Sequence, residues 1–261
     1  MAKIGVFDSG VGGITIVEEI NKILPEDTII YYGDNKNFHY ENLSVDLIRE
    51  HCLKVVEFLV LNGVDAVVVA CSVATAAALE TLKARFAHIP IVGVIDTGAK
   101  VGVETTLNNS LGIFATPATV AMDAYPKAVR SMNRNISVFQ KGCPKLCSMI
   151  EEGWEDIPEN DEIVKEYLSY IPEKADTLVL GCTHYPLIRH IIARYFKGNI
   201  VDSAKETAEI LKKELFLKSG KTRTSENPHL EFYISGNIKK FKEIAGDFLG
   251  EDIDKIYKIE L

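Results

Sequence analysis

Short apolar runs alternate with helical patterns along the whole chain. Residues 4–7 form a run of the buried-strand type, and the turn Asp8-Ser9-Gly10-Val11-Gly12-Gly13 leads into a helical pattern over 14–20. Residues 28–32 predict a second strand, ended by Gly33-Asp34-Asn35, and a polar loop over 36–42 carries Phe38, His39 and Tyr40. Apolar residues at positions 47, 48, 52, 55, 56, 59 and 60 keep a helical period across 44–62. Residues 64–70 then read as a strand, 74–82 as an Ala-rich helix, and 89–95 as a strand closing at Asp96-Thr97-Gly98. The second half repeats the alternation. Strands are predicted over 111–114 and 136–139, with a helix between them running to about residue 131. A helix over 159–171 precedes the strand that ends at Cys182. A short strand over 200–204, a helix over 206–216, a polar turn over 218–228, a strand over 229–235 and a helix over 238–249 complete the chain. Such alternation implies an α/β fold of parallel sheets with helices on both faces.

Two echoes divide this pattern into copies. Asp65-Ala66-Val67-Val68-Val69-Ala70-Cys71-Ser72 parallels Asp176-Thr177-Leu178-Val179-Leu180-Gly181-Cys182-Thr183, and Ile4-Gly5-Val6-Phe7-Asp8-Ser9 parallels Leu111-Gly112-Ile113-Phe114-Ala115-Thr116. Each pair is separated by roughly 110 residues, so one unit is present twice. Ligands of open α/β sheets bind beyond the carboxyl ends of strands, where Cys71 and Cys182 both fall. Facing copies would offer one thiol each to a shared cleft.

Composition narrows the function. The 261 residues suit one large α/β domain or two small ones, and 47% hydrophobic with 25% charged residues is ordinary for a soluble protein. A net charge of −8 argues against nonspecific nucleic-acid binding. No apolar run approaches the length of a membrane span, and Met1-Ala2-Lys3 runs directly into the first strand, so a cytoplasmic protein is expected. Five cysteines form no disulfide framework and are expected as thiols. Cys143 and Cys147 are spaced C-x3-C, but no second pair completes a zinc site; no metal is expected, and both are read as bland. Cys52 lies on an apolar helical stripe and reads as core. The turn after the first strand lacks GxGxxG and Walker spacing, which disfavours a nucleotide. Its amides suit a carboxylate, and Asp8 fits a helix cap as well as a functional group.

Lys3-Ile4-Gly5-Val6-Phe7-Asp8-Ser9-Gly10-Val11-Gly12-Gly13 and Leu180-Gly181-Cys182-Thr183-His184-Tyr185-Pro186-Leu187 are the two longest motifs. Tyr32-Gly33-Asp34, Ala70-Cys71, Gly93-Val94-Ile95, Ile150-Glu151-Glu152-Gly153 and Val201-Asp202-Ser203 stand in order between and beyond them. By these motifs the chain resembles the glutamate racemases of the cofactor-independent aspartate/glutamate racemase superfamily. The resemblance implies inversion of an amino acid between two thiols, Cys71 acting on the D-isomer and Cys182 on the L-isomer. It further implies help from Asp8 beside Cys71, and from His184 with Glu151 beside Cys182. A thiol must be partly ionised to act as a base, so such neighbours have a physical purpose. No cofactor is implied, and the product would be D-glutamate for peptidoglycan. Substrate contacts are expected from Ser9, Tyr40, Glu41, Ser72, Val73, Thr116, Thr119 and Thr183.

The resemblance implies two α/β lobes around the cleft, residues 1–97 with 207–261 and residues 98–206, and a possible homodimer. Where the family has Pro-Tyr-Gly this chain has His39-Tyr40-Glu41, and where it has Cys-Asn-Thr this chain has Cys71-Ser72-Val73. Asp96-Thr97 replaces Glu-Pro. These changes fall on the substrate cradle, so the alternatives are a two-thiol racemase of another amino acid and a non-catalytic ligand-binding relative.

Overall fold

The computed structural model describes residues 2–37, 40–219, 229–250 and 252–261, leaving aside the side chains of residues 41, 218 and 219. β1 (Lys3–Asp8), β2 (Thr28–Gly33), β3 (Ala66–Val69) and β4 (Ile91–Gly93) join β9 (Leu230–Ile234) and β10 (Ile256–Lys258) in one sheet. Its order is β10-β9-β2-β1-β3-β4, with every pair parallel. Strands covered on both faces read as continuous apolar runs, which is the pattern of Val67, Val68 and Val69.

Because strand side chains alternate, the sheet feeds two cores. Ile4, Val6, Ile29, Tyr31 and Val68 pack on one face against α1 (Ile14–Ile23), α10 (Ala204–Ser219) and α11 (Ile238–Leu249). Phe7, Ile30, Tyr32, Val67 and Val69 pack on the other against α2 (Val45–Leu61) and α3 (Ser72–Arg85). Cys52 is buried on α2 in this second core, as expected.

β5 (Ser110–Ala115), β6 (Ser137–Gly142), β7 (Thr177–Leu180) and β8 (Asn199–Val201) form a second parallel sheet, ordered β6-β5-β7-β8. That order repeats β2-β1-β3-β4, so the duplication seen in the motifs is a duplication of topology. The chain passes from the first sheet to the second through α4 (Val94–Thr105) and returns through α10. Thr97 Oγ1 lies 2.8 Å from Thr207 Oγ1, tying these two helices together.

Several boundaries differ from the sequence reading. The strand expected over 89–95 stops at Gly93, whose extended backbone caps α4, so Asp96, Thr97 and Gly98 are helical. Thr75 Oγ1 accepts from Val94 N and Thr97 Oγ1 donates to Val94 O, partners that make this early helix start possible. The helix expected up to residue 131 is two, α5 (Pro117–Ala121) and α6 (Ala124–Met132), broken at Asp123 with φ of 52°. α7 (Leu146–Glu151) and β10 were not anticipated; both are too short for a period to register. α8 (Pro158–Leu168) and α9 (Arg189–Tyr195) cover the second sheet. Of the polar turn expected over 218–228, residues 220–228 lie outside the described residues. Among the described residues no helix is long and apolar enough to cross a membrane.

Phe232 on β9 is fully buried, its ring 5.5 Å from those of Tyr31 and Phe241. Phe232→Ala is expected to cost about 3–5 kcal/mol, read from urea unfolding. A loss below ~1 kcal/mol would show that β9 adds little to the first core.

Candidate active site

The carboxyl ends of β1, β3, β5 and β7 converge, and the residues following them build the site. Cys71 follows β3 and caps α3: its Sγ accepts from Ala74 N at 3.5 Å. Ser9 Oγ, just beyond β1, donates to the same sulfur at 3.3 Å. A helix N-terminus favours negative charge, so the Ala74 amide and the Ser9 hydroxyl partly offset what burial costs a thiolate at Cys71.

Cys182 follows β7, the equivalent strand of the second sheet. Its Sγ lies 3.7 Å from His184 Nδ1, and His184 Nε2 lies 2.7 Å from Glu151 Oε1. Glu151, at the end of α7, is held from the other side as well. Val11 N donates to Oε1 at 2.5 Å and Asn35 Nδ2 to Oε2 at 3.4 Å. Asp8 forms a parallel link: its Oδ2 accepts from Gly10 N and Gly13 N, and its Oδ1 accepts from Thr183 Oγ1 at 3.3 Å. Asp8 therefore closes the β1–α1 turn and ties it to Thr183 beside Cys182.

The glycine-rich turn is explained by contact rather than by phosphate. A Cβ on Gly12 would come within 2.7 Å of the His184 backbone nitrogen, and one on Gly10 would run into the Glu151 carboxylate. The amides of Gly10, Val11 and Gly13 are already taken by Asp8 and Glu151.

Cys71 and Cys182 line one cavity, together with Ser9, Thr183 and His184. Tyr40, Ser72, Val73 and Thr116 complete the predicted wall, and Cys147 is an unpredicted member of it. The open space is about 20 Å³, room for about one water molecule. Tyr40 donates from its hydroxyl to Asp34 Oδ2 at 2.6 Å, and Ser72 hydrogen-bonds the buried Tyr125 hydroxyl. Thr116 Oγ1 lies 3.0 Å from Thr119 Oγ1, which places Thr119 behind the wall. Asp96 is exposed on α4, and Thr97 is occupied by Thr207. His39 and the Glu41 side chain lie outside the described residues.

Two participants escaped sequence reasoning. Cys147 Sγ lies 3.4 Å from Cys182 Sγ, in direct contact with it. Cys147 and Glu151 stand i and i+4 on α7, but a helix of six residues is too short for that spacing to register in the sequence. Asn35 gave no signal beyond its place after β2. Glu152, as acidic a candidate as Glu151, is exposed at the helix end.

The electrostatics follow from burial. Burial and the Asp8 carboxylate push the Cys71 thiol up to about 12. The Cys147 hydrogen bond and burial together raise Cys182 well above the usual thiol range. Burial pulls His184 down, but the Cys182 thiol and the Glu151 carboxylate overcome it and hold the imidazole well above its ordinary value. Burial also raises Asp8, against the opposing charge of His184 and the amides of Gly13 and Gly10. Burial in the closed cavity thus opposes ionisation of both thiols.

Comparison with known proteins gives one consistent result. The Asp/Glu/hydantoin racemase family model matches residues 13–211. A glutamate racemase of Desulforudis audaxviator is 35% identical, the match covering 99% of this chain and 98% of the relative. Among solved structures, a glutamate racemase isoform from Bacillus anthracis superposes with TM-score 0.93 at 35% identity, covering 100% of this chain and 98% of that one. The Francisella tularensis glutamate racemase in complex with D-glutamate gives TM-score 0.91 at 33% identity, with 99% and 97% covered.

The Cys71 thiol makes a pH prediction. Folded, it holds its proton above the pH of about 8.5 at which an unfolded chain releases it. The associated stability is complete below that pH and is lost as pH rises toward about 12, at up to ~1.4 kcal/mol per pH unit. Urea midpoints of the wild type should therefore fall more between pH about 8 and about 10 than those of Cys71→Ser. Equal falls would sink the assignment.

Proposed function

The chain belongs to the Asp/Glu/hydantoin racemase family, and we propose that it interconverts L- and D-glutamate, with Cys71 and Cys182 as the two proton carriers. The observation that carries this reading is the placement of both thiols on one cavity, each following the equivalent strand of a duplicated unit. An α-carbon inverts when a proton leaves one face and another arrives at the opposite face. One base cannot serve both faces without moving, whereas two thiols across the substrate can.

In the forward direction the Cys182 thiolate takes the α-proton of L-glutamate, and the Cys71 thiol gives its proton to the other face. Cys182 ends as thiol and Cys71 as thiolate, and the reverse reaction restores them. His184, oriented by Glu151, stands beside Cys182 to accept or return its proton; Asp8 serves the Cys71 side. The raised thiol values belong to the closed, dry cavity. The α-ammonium of an arriving substrate is a positive charge close to both sulfurs, and opposite charge favours ionisation.

Glutamate is far larger than the ~20 Å³ now open, so binding requires the two sheets to part and close again. The passages through α4 and α10 are the places where that motion is absorbed. The hydroxyls of Ser9, Ser72, Thr116 and Thr183 supply donors for the carboxylates. The backbone amides of Ser72 and Val73 open the fourteen-residue helix α3, whose first amides have no intrahelical partner. Those amides do not depend on side-chain identity, which is how the cradle accommodates Ser72 and Val73. The product serves as D-glutamate for peptidoglycan. Val73 nevertheless places an apolar side chain on the wall, and this favours testing a second reading, a racemase of a less polar amino acid.

Loss of the α-hydrogen in deuterium oxide, followed by proton NMR, and inversion, followed by chiral chromatography, test this on D- and L-glutamate and a panel of other amino acids. Glutamate should be inverted far faster than the rest. Cys71→Ser and Cys182→Ser should each lose about 10²–10⁴-fold in inversion, retaining residual exchange from one isomer only, L for Cys71→Ser and D for Cys182→Ser. Inversion of another amino acid alone would move the substrate and keep the chemistry. No exchange with any amino acid, from folded and reduced protein, would defeat the catalytic reading.

A further inference from the structure

The unpredicted thiol next to Cys182 creates a constellation that proton transfer does not need. We propose that Cys147, Cys182 and His184 form a binding site for a thiophilic d¹⁰ cation, Zn²⁺ or Cd²⁺, and that its occupation shuts off proton transfer. The effect on turnover rests on the racemase reading; the binding does not.

Geometry is the first argument. Cys147 Sγ and Cys182 Sγ are 3.4 Å apart, and Cys182 Sγ and His184 Nδ1 are 3.7 Å apart. All three donor atoms lie within 4.8 Å of one another. Tetrahedral zinc with bonds of about 2.3 Å to sulfur and about 2.0–2.1 Å to nitrogen sets its donors ~3.5–3.8 Å apart. Two of the three separations are thus near coordination distance already, and the third closes by a side-chain adjustment of about 1.3 Å at most. This is the only such group of His, Cys, Asp and Glu found among the described residues.

The histidine is the second argument. His184 Nε2 is engaged by the Glu151 carboxylate at 2.7 Å, leaving Nδ1 facing the thiols. A ligand imidazole typically donates its remote N–H to a carboxylate, which fixes the tautomer and strengthens the metal bond. Glu151 is itself fixed by Val11 N and Asn35, so the carboxylate–histidine pair is preorganised.

The third argument is access. All three ligands border the cavity, so a fourth coordination position faces open space of about 20 Å³, room for about one water. Three protein ligands with one open position is the arrangement of an accessible zinc site rather than a closed structural one. Cys71 has no such company; the partners of its sulfur are the Ser9 hydroxyl and the Ala74 amide. Binding replaces two S–H bonds and any proton on Nδ1 with metal–ligand bonds, and those protons are released to solvent. Cys182 can then neither take nor give a proton.

Metal-free, reduced protein under argon is titrated with CdCl₂, following the ultraviolet thiolate-to-cadmium charge-transfer band, and with ZnCl₂ by equilibrium dialysis. The wild type should bind one Cd²⁺ per chain with the intensity of two thiolates, and activity should fall in step with the band and return with EDTA. Cys147→Val and Cys147→Ser should each lose about half the band and ~tenfold or more in affinity, while Cys143→Ala should titrate like the wild type. Circular dichroism checks that each variant is folded. The site is refuted if Cys147 variants and wild type titrate alike, or if the band follows Cys143. A Cys147-dependent band in a protein that inverts no amino acid supports the site and removes the racemase reading instead.

Discussion

The structure depends on a carboxylate shared between its two halves. Glu151 Oε1 accepts from Val11 N of the first half and pairs with His184 Nε2 of the second. Asp8 makes the reciprocal link through Thr183 Oγ1 while closing its own turn. Buried charges persist only when they are hydrogen-bonded. The seam therefore needs all of these partners together, and it sets the positions of His184, Cys182 and the glycine-rich turn at once. Gly10 and Gly12 belong to the same constraint, because a side chain at Gly10 would displace the Glu151 carboxylate and one at Gly12 would meet the His184 backbone.

That seam also explains why catalysis and motion coexist. Each sheet has its own apolar cores, with Ile4, Val68 and Phe232 on one side of the molecule and Phe114, Leu178 and Ile191 on the other. Exchanging a seam hydrogen bond for water costs about 0.5–1.5 kcal/mol net, much less than parting an apolar core of that size. The cavity can thus open along its polar edge while both sheets stay intact. When it closes, the same burial that raises Asp8, Cys71 and Cys182 makes the arriving charges of a substrate count for more. The proposed cation site follows from that economy of space, since a second thiol packed against Cys182 brings its donors near metal-binding distances.

Much of this was legible from residue order. Strands buried on both faces must be apolar throughout, so β1, β2, β3, β5 and β7 stand out as apolar runs, and residues just beyond β1, β3, β5 and β7 line the cavity. Pairing Cys71 with Cys182 required only the echo between two such runs. Boundaries were less legible where a partner distant in sequence decides them. Val94 begins a helix because Thr75 accepts its amide, and nothing near Val94 announces it. The strand β10 pairs on the free edge of β9, and at three residues it is too short for Ile256 and Tyr257 to show a period.

Local rules act within a few residues, and they suffice for strands, turns and two thiols at equivalent strand ends. Helix phase and the docking of one half on the other are long-range matters, settled by how apolar faces pack and which buried charges find donors. Those decide that Glu151 meets His184 while Glu152 faces solvent. They also decide that Cys147, which the C-x3-C spacing alone makes unremarkable, lies against Cys182.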